Sequence, residues 1–465
     1  MKKEILKKEI HHWAWVVFAV LFAAGMIFSL ICHVDDYPWD SLYYWEIADD
    51  VTRGGGFDIL RFPETFRGYA FPVLLSILKG FLPGVLGWQV PANLMAAAEF
   101  AFVLPYLFDR RIDKVSSALR VFLSYTVFMW IWGLFLQYPL SDMPAAFCCS
   151  AGIALLKWCG RQKRFLQIIA GGIVTGGLLY AAYNTRAGFL YSIWVTVIVY
   201  LFLREHDLKR AAVCLMSVIL GAMLLSIPQM MINRQYVGTP SPKVYSSQLF
   251  GYSRSLQMQQ IYWGVSIPRG EAYYGPLIEN PGGVTYRDII GDRILERENV
   301  EEGDFTFKSF VKLCLKYPFD MVCIYVRHFL SAMTPCYMNS CYIPDAHVNR
   351  GIISSASILL WILAAGVLAT TLNRRRIVKA LWMGGFLLPG IMQTMGAVEL
   401  RFFLPAYLLL YFFLGAVADY SGVCAVVKKR PLTVLFGTVM VYLLWMTIFS
   451  DLLSSAEGHI FLIAG

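Results

Sequence analysis

Residues 37–58 read YPWDSLYYWEIADDVTRGGGFD and follow closely on an apolar run at 13–32. The stretch carries Asp40, Glu46, Asp49, Asp50 and Asp58 and includes three consecutive glycines. Asp40, Tyr44, Ile47 and Val51 recur at the spacing of one helix face, which predicts a short helix starting near Asp40. Gly54, Gly55 and Gly56 would stop it, because glycine enters the left-handed C-cap conformation without steric cost. Asp40 then has two readings. It is the N-cap, a position aspartate fills well, or a carboxylate held for chemistry. Tyr43 stands where a capping box would place Glu or Gln, so the cap reading is incomplete. Asp49 and Asp50 are expected on a solvated face.

The rest of the chain explains why an acidic helix would sit there. Of 465 residues, 58% are hydrophobic and only 15% charged, against about 25% charged in average soluble domains. Between charge clusters lie apolar runs of roughly 20 residues, the length a helix needs to cross a bilayer. They lack strand alternation, which favours helices over a closed barrel. The expected fold class is an all-α polytopic membrane protein. The net charge of +9 does not point to nucleic acid. More than half of the Lys and Arg residues fall in six short clusters, around Lys2, Arg110, Lys157, Arg204, Arg374 and Lys428, each abutting an apolar run. That is the pattern of cytoplasmic loops and of contact with anionic lipid. The ten cysteines show no metal-ligand spacing and most lie in apolar runs, as small buried hydrophobes do. Cys336 and Cys341 flank a loop placed outside and form the one candidate disulfide.

With the N-terminus inside, crossings are expected near 13–32, 88–108, 119–136, 142–158, 165–182, 187–203, 210–231, 351–372, 378–396, 402–420 and 432–453. Eleven crossings put the C-terminus outside and every basic cluster inside. The first run has no small-x-small cleavage site after it and reads as a retained anchor. Residues 68–87, GYAFPVLLSILKGFLPGVLG, are apolar but broken by Pro72, Lys79 and LPG. As a crossing they would invert every later loop, so they are expected to lie along the outer surface. The organisation predicted is a transmembrane module 1–231 with a first outer loop 33–87, a large outer segment 232–350, and C-terminal helices 351–465. Within the outer segment, residues 305–333 are amphipathic, with Lys308, Lys312, Lys316, Arg327 and His328 interrupting apolar residues. They are expected to be interfacial.

DSLYYWEIADDVTRGGG (40–56) followed by FRGYAFPVLLSIL (66–78) resembles the first outer loop of the GT-C superfamily of membrane glycosyltransferases. That superfamily includes the protein O-mannosyltransferases and the aminoarabinose transferase of lipid A. Asp40, Tyr44, Ala48 and Gly55, then Tyr69 and Pro72, occupy the loop's acidic, Tyr, small, Gly and proline-helix places. LFDRRIDKVSSALRVFLSY (107–125) resembles the basic turn after the second crossing, and YPLSDMPAAFCCSAGIALL (138–156) the second outer loop, with its acidic residue at Asp142. NRQYVGTPSP (233–242) resembles the start of the large outer segment, and ELRFFLPAY (399–407) a late E-x-R-[FY]-x-x-P pattern. Trp39-Asp40-Ser41 replaces the D-E pair of several subfamilies, which leaves the subfamily open.

The resemblance implies an inverting glycosyltransferase in a bacterial plasma membrane. It would take a polyprenyl-phosphate sugar at the outer face and pass the sugar to a glycan, lipid or protein acceptor. Asp40 would be the base, with Asp36 and Asp142 as the other acidic candidates. Asp142 would assist positioning, or bind a divalent cation if the reaction uses one; no other cofactor is implied. Arginine in short outer loops opposes the positive-inside bias, and those loops hold Arg186 and Arg401. Either suits a donor phosphate, as does Arg67 in the first loop; Arg401 also has Glu399 at hand as a structural partner, and Tyr44 would line the site. Two other readings compete. An envelope polysaccharide polymerase or ligase would place its main loop late in the chain. A lipid-linked-sugar flippase or transporter would show repeats and ionisable groups at mid-membrane, where these crossings are expected to be nearly uncharged.

Overall fold

The computed structural model describes residues 2–32, 34, 37–53, 58–62, 67–203, 208–245, 256–273, 282–335, 350–371, 374–454 and 456–459. Asp36, the glycines at 54–56, and Cys336 and Cys341 lie outside the described residues. In chain order the helices are α1 (Lys2–Cys32), α2 (Asp40–Thr52), α3 (Ala70–Phe81), α4 (Leu86–Ala98), α5 (Leu104–Leu107), α6 (Val115–Trp132), α7 (Asp142–Cys159), α8 (Phe165–Thr185), α9 (Leu190–Leu203) and α10 (Leu208–Tyr236). Then come α11 (Leu256–Ser266), α12 (Ile289–Arg297), α13 (Phe307–Lys316), α14 (Pro318–Ala332), α15 (Arg350–Thr371), α16 (Arg374–Gln393), α17 (Leu404–Phe412), α18 (Ser421–Lys429) and α19 (Pro431–Ser454).

Among the described residues, eight helical stretches are long and apolar enough to cross a membrane, by length and composition: His12–Cys32, Leu86–Leu107, Val115–Trp132, Phe165–Thr185, Leu208–Tyr236, Gly351–Thr371, Leu400–Val417 and Pro431–Ser450. The chain is a helical, multi-pass membrane protein. The other three expected crossings also fall on helices. Two of these are shorter, Ala187–Leu203 and Ala380–Gln393, and α7 carries Asp142 and Lys157 near its ends. Within 68–87 the helix is α3, of 12 residues. At 1.5 Å per residue that is about 18 Å, too short for a hydrocarbon core of about 30 Å.

The chain divides into two compact units. The first holds Met1–Tyr245, Asn373–Pro389 and Pro405–Val417. Helix α8 packs against α10, where small residues let backbones touch. A Cβ on Gly176 would stand 1.8 Å from the Val218 carbonyl oxygen, and one on Gly221 1.9 Å from that of Ile173. Close approach through small residues is how membrane helices gain packing when lipid supplies no hydrophobic drive.

The second unit holds Ser246–Leu372, Gly390–Leu404 and Ala418–Gly465. It adds what the all-α expectation lacked: a three-stranded antiparallel sheet, β1 (Arg269–Tyr273), β2 (Gly282–Tyr286) and β3 (Ala456–His459), in that order. The amphipathic stretch 305–333 is two helices rather than one. Pro318 has no backbone N–H to continue the first, and α14 restarts with it. Each helix buries one apolar side, Phe310 and Leu313 in α13 and Met321 and Ile324 in α14, against Ile261, Val265, Ile294 and Phe305. Each also exposes another, including Phe307, Val311 and Leu315 on α13 and Phe319, Val322 and Val326 on α14. Arg327 and His328 do not interrupt that exposed side. Arg327 pairs with Asp288 at 2.5 Å, and His328 is fully buried.

Candidate functional site

The first unit gathers its expected site residues at the end where α1 and α6 finish and α7 begins. Helix α2 buries Ser41, Tyr44, Ile47, Ala48 and Val51, the face its spacing predicts. Tyr44 stacks edge-on against Phe71 of α3, and Phe71 against Trp88 of α4, at centroid distances of 4.9 and 5.3 Å. Trp88 Nε1 donates to the Leu136 carbonyl at 3.0 Å. An aromatic chain thus joins the 33–87 loop to the 133–141 loop that leads into Asp142. Tyr37 lies against the Trp45 ring at 4.9 Å. Burial, with Tyr138 close by, pushes its phenol well above the ordinary range.

Asp40 is not the N-cap. Trp39 holds that position, with φ of 51° and no capping side chain, a left-handed conformation that a bulky residue rarely takes. The Asp40 carboxylate instead accepts from Arg67 Nη2 across 27 residues. Arg67 lies 5.1 Å from the Tyr44 ring centroid and 5.9 Å from that of Tyr43. These side chains remain partly open, at 21% exposure for Asp40 and 22% for Arg67. Asp49 lies on an exposed face, as expected, and pairs there with Lys79, which sits 3.9 Å over the Trp45 ring and ties α2 to α3.

Arg67 is placed by its neighbour Gly68. A Cβ there would fall 1.9 Å from the Asn184 carbonyl oxygen, so only glycine lets this loop lie on the end of α8. Asn184 then organises the approach. Its Oδ1 accepts from the Ala70 N–H at 2.8 Å, and its Nδ2 donates to Gln229 Oε1 at 2.8 Å. Gln229 donates to Asn233 Oδ1, and Asn233 to the Ser241 and Lys243 carbonyls. This buried amide chain links α3, α8, α10 and the segment after α10. Asn184 and Gln229 did not stand out in the sequence, because they are 45 residues apart and each residue type is common; Asn233 was singled out only as the start of NRQYVGTPSP.

The second acidic group is Asp142, the first residue of α7 and 6% exposed. It pairs with Arg186 Nη1 at 2.5 Å. Arg186 is the residue that ends α8, so the pair links the start of one helix to the end of the next. Position at the α7 N-terminus also favours a carboxylate. Among the acid–arginine pairs of the first unit, two are formed by expected site residues, Asp40–Arg67 and Asp142–Arg186. Among the described residues no group of three or more His, Cys, Asp or Glu could hold a metal.

Glu399 and Arg401 lie in the second unit and pair with one another. Their segment is strapped down from both sides. Gly270 N–H donates to the Val398 carbonyl at 3.0 Å, and Leu400 N–H to Glu271 Oε1 at 3.1 Å. Glu271 is buried with Arg269, whose Nη1 also donates to the Ser331 and Thr334 carbonyls. Burial raises the Glu271 carboxyl above the ordinary range, with Arg269 opposing. His328 Nδ1 donates to the Gly396 carbonyl at 3.2 Å. Desolvation brings its imidazole down to about 4, with Asp288 and the backbone opposing.

Comparison with family models, with curated proteins and with solved structures finds no match for this chain.

Proposed function

We propose that the protein is a membrane glycosyltransferase of the GT-C type. It would have eleven crossings and act at the outer face on a polyprenyl-phosphate sugar. The observation that supports this reading best is the pairing at one end of the first unit. Asp40–Arg67 and Asp142–Arg186 are partly or wholly withdrawn from water, close to the ends of apolar helices. A lipid-borne donor keeps its prenyl chain in the bilayer and presents its phosphate at the boundary. An acid to take a proton and a guanidinium to meet phosphate are the two groups this chemistry needs there.

In the proposed step an acceptor hydroxyl attacks the anomeric carbon of the donor sugar. The new O–C bond forms as the bond to the phosphate oxygen breaks, and the anomeric configuration inverts. Asp40 takes the hydroxyl proton, and polyprenyl phosphate leaves with the electron pair. Arg67 exchanges part of its contact with Asp40 for the phosphate, where charge grows as the bond breaks. Asp142 and Arg186 hold the second loop in place beside it.

Asp40→Asn tests the assignment. Asparagine can still accept from Arg67 but cannot take a proton. The expected protein folds, binds donor and turns over about 10²–10⁴-fold more slowly. Near-normal turnover with lowered thermal stability would mean that Asp40 only anchors Arg67. The transporter reading has one observation in its favour, Glu99, an acid inside the membrane-spanning part of the first unit.

A further inference from the structure

Glu99 is the single Asp or Glu within the eight long apolar stretches, among the described residues. Its residue exposure is 0%, and it is the exception among stretches otherwise free of acids. It opens a π-helical turn, Glu99–Val103, in which the Leu104 N–H reaches back five residues to the Glu99 carbonyl. Such turns carry an extra residue into a helix and recur at functional positions. Ser150, midway along α7, faces it.

The contacts around this pair decide its protonation. Ser150 Oγ lies 2.7 Å from Glu99 Oε2 and 3.0 Å from the Phe147 carbonyl oxygen. A hydroxyl has one proton to donate. If Glu99 were ionised, Ser150 would serve either the carboxylate or the carbonyl, and the other contact would lack a hydrogen. With a proton on Oε2 both contacts are hydrogen bonds, running from Glu99 to Ser150 to Phe147. The second oxygen, Oε1, is buried and meets no partner among the described residues. No Lys, Arg or His pairs with Glu99 among them, and the adjacent Phe100 packs on Tyr125, Phe128 and Phe412. An unpaired carboxylate there would cost far more than a neutral acid.

We propose that Glu99 and Ser150 form an intramembrane proton-binding site, in which Glu99 is held as a neutral carboxylic acid that donates to Ser150 Oγ. The neutral acid joins α7 to the π-helical turn that follows α4. Cys149, next to Ser150, is a titratable side chain within electrostatic reach. A metal cation would need several oxygen ligands, and this pair offers few. The site does not depend on the glycosyltransferase reading.

Infrared difference spectroscopy of the full-length protein in lipid nanodiscs at neutral pH tests it. Wild type minus Glu99→Gln should show one carboxylic-acid C=O band. Wild type minus Ser150→Ala, a variant that keeps the acid, should show the same band shifted by loss of its acceptor. A difference confined to carboxylate stretches would overturn the proposal, as would a Glu99 signal that follows sodium concentration. Glu99→Gln keeps a neutral hydrogen-bond donor, so its melting temperature should match wild type. If that variant fails to fold, the Ser150→Ala spectrum decides alone.

Discussion

Arg186 ends one helix and holds the first residue of another, so its removal has a readable cost. Arg186→Ala would leave Asp142 buried without its guanidinium, and about 3–5 kcal/mol of stability should go with it. Denaturation of the purified variant measures this. Arg401 separates a structural from a binding role in another way. Lysine keeps the charge but loses the planar fork, so a donor-phosphate role predicts weaker donor binding by Arg401→Lys at wild-type stability. Unchanged donor affinity, with Glu399→Ala destabilised, would leave only the ion pair. The candidate residues were legible because acids and arginines stand out in an apolar chain. Their pairing was not, since Asp40 and Arg67 are 27 residues apart and Trp39 took the cap position. Glu99 escaped notice because one acid in a long apolar run barely alters its hydropathy.

Among the elements, the helices were the most legible part. Roughly 20 apolar residues between basic clusters satisfy the bilayer requirement almost by themselves. What escaped was the break at Pro318, the π-helical turn at Glu99, and a sheet of short strands whose third member is distant in sequence. The segment bearing Glu399 and Arg401 depends on such distant contacts, and His328 gives them a pH signature. Its imidazole titrates near 4 in the folded protein against 6.5 unfolded. The unfolded chain therefore binds more protons between those values. Stability from this group is complete above about pH 6.5 and is lost as pH falls towards 4, by on the order of 3 kcal/mol. Melting temperatures of wild type and His328→Gln across that range should converge as pH falls. At the α8–α10 contact, Gly176→Leu should prevent the helices from meeting, read as loss of folded protein in detergent.

At the scale of the whole molecule, the side of the membrane that each loop faces is decisive. Cysteines introduced at positions 114, 161 and 429 should resist impermeant reagents in intact cells, while positions 52 and 304 should react. Labelling at 114 would mean that α3 crosses, and the topology would invert from there. The most direct measurement is transfer itself. The reconstituted protein is given a panel of radiolabelled polyprenyl-phosphate sugars with envelope lipids, glycans and proteins as acceptors. The glycosyltransferase reading predicts that label from one donor moves to an acceptor, with inversion and release of polyprenyl phosphate, and that Asp40→Asn slows this transfer about 10²–10⁴-fold. Donor bound or moved across the bilayer with its sugar–phosphate bond intact, for every donor and acceptor, would contradict it.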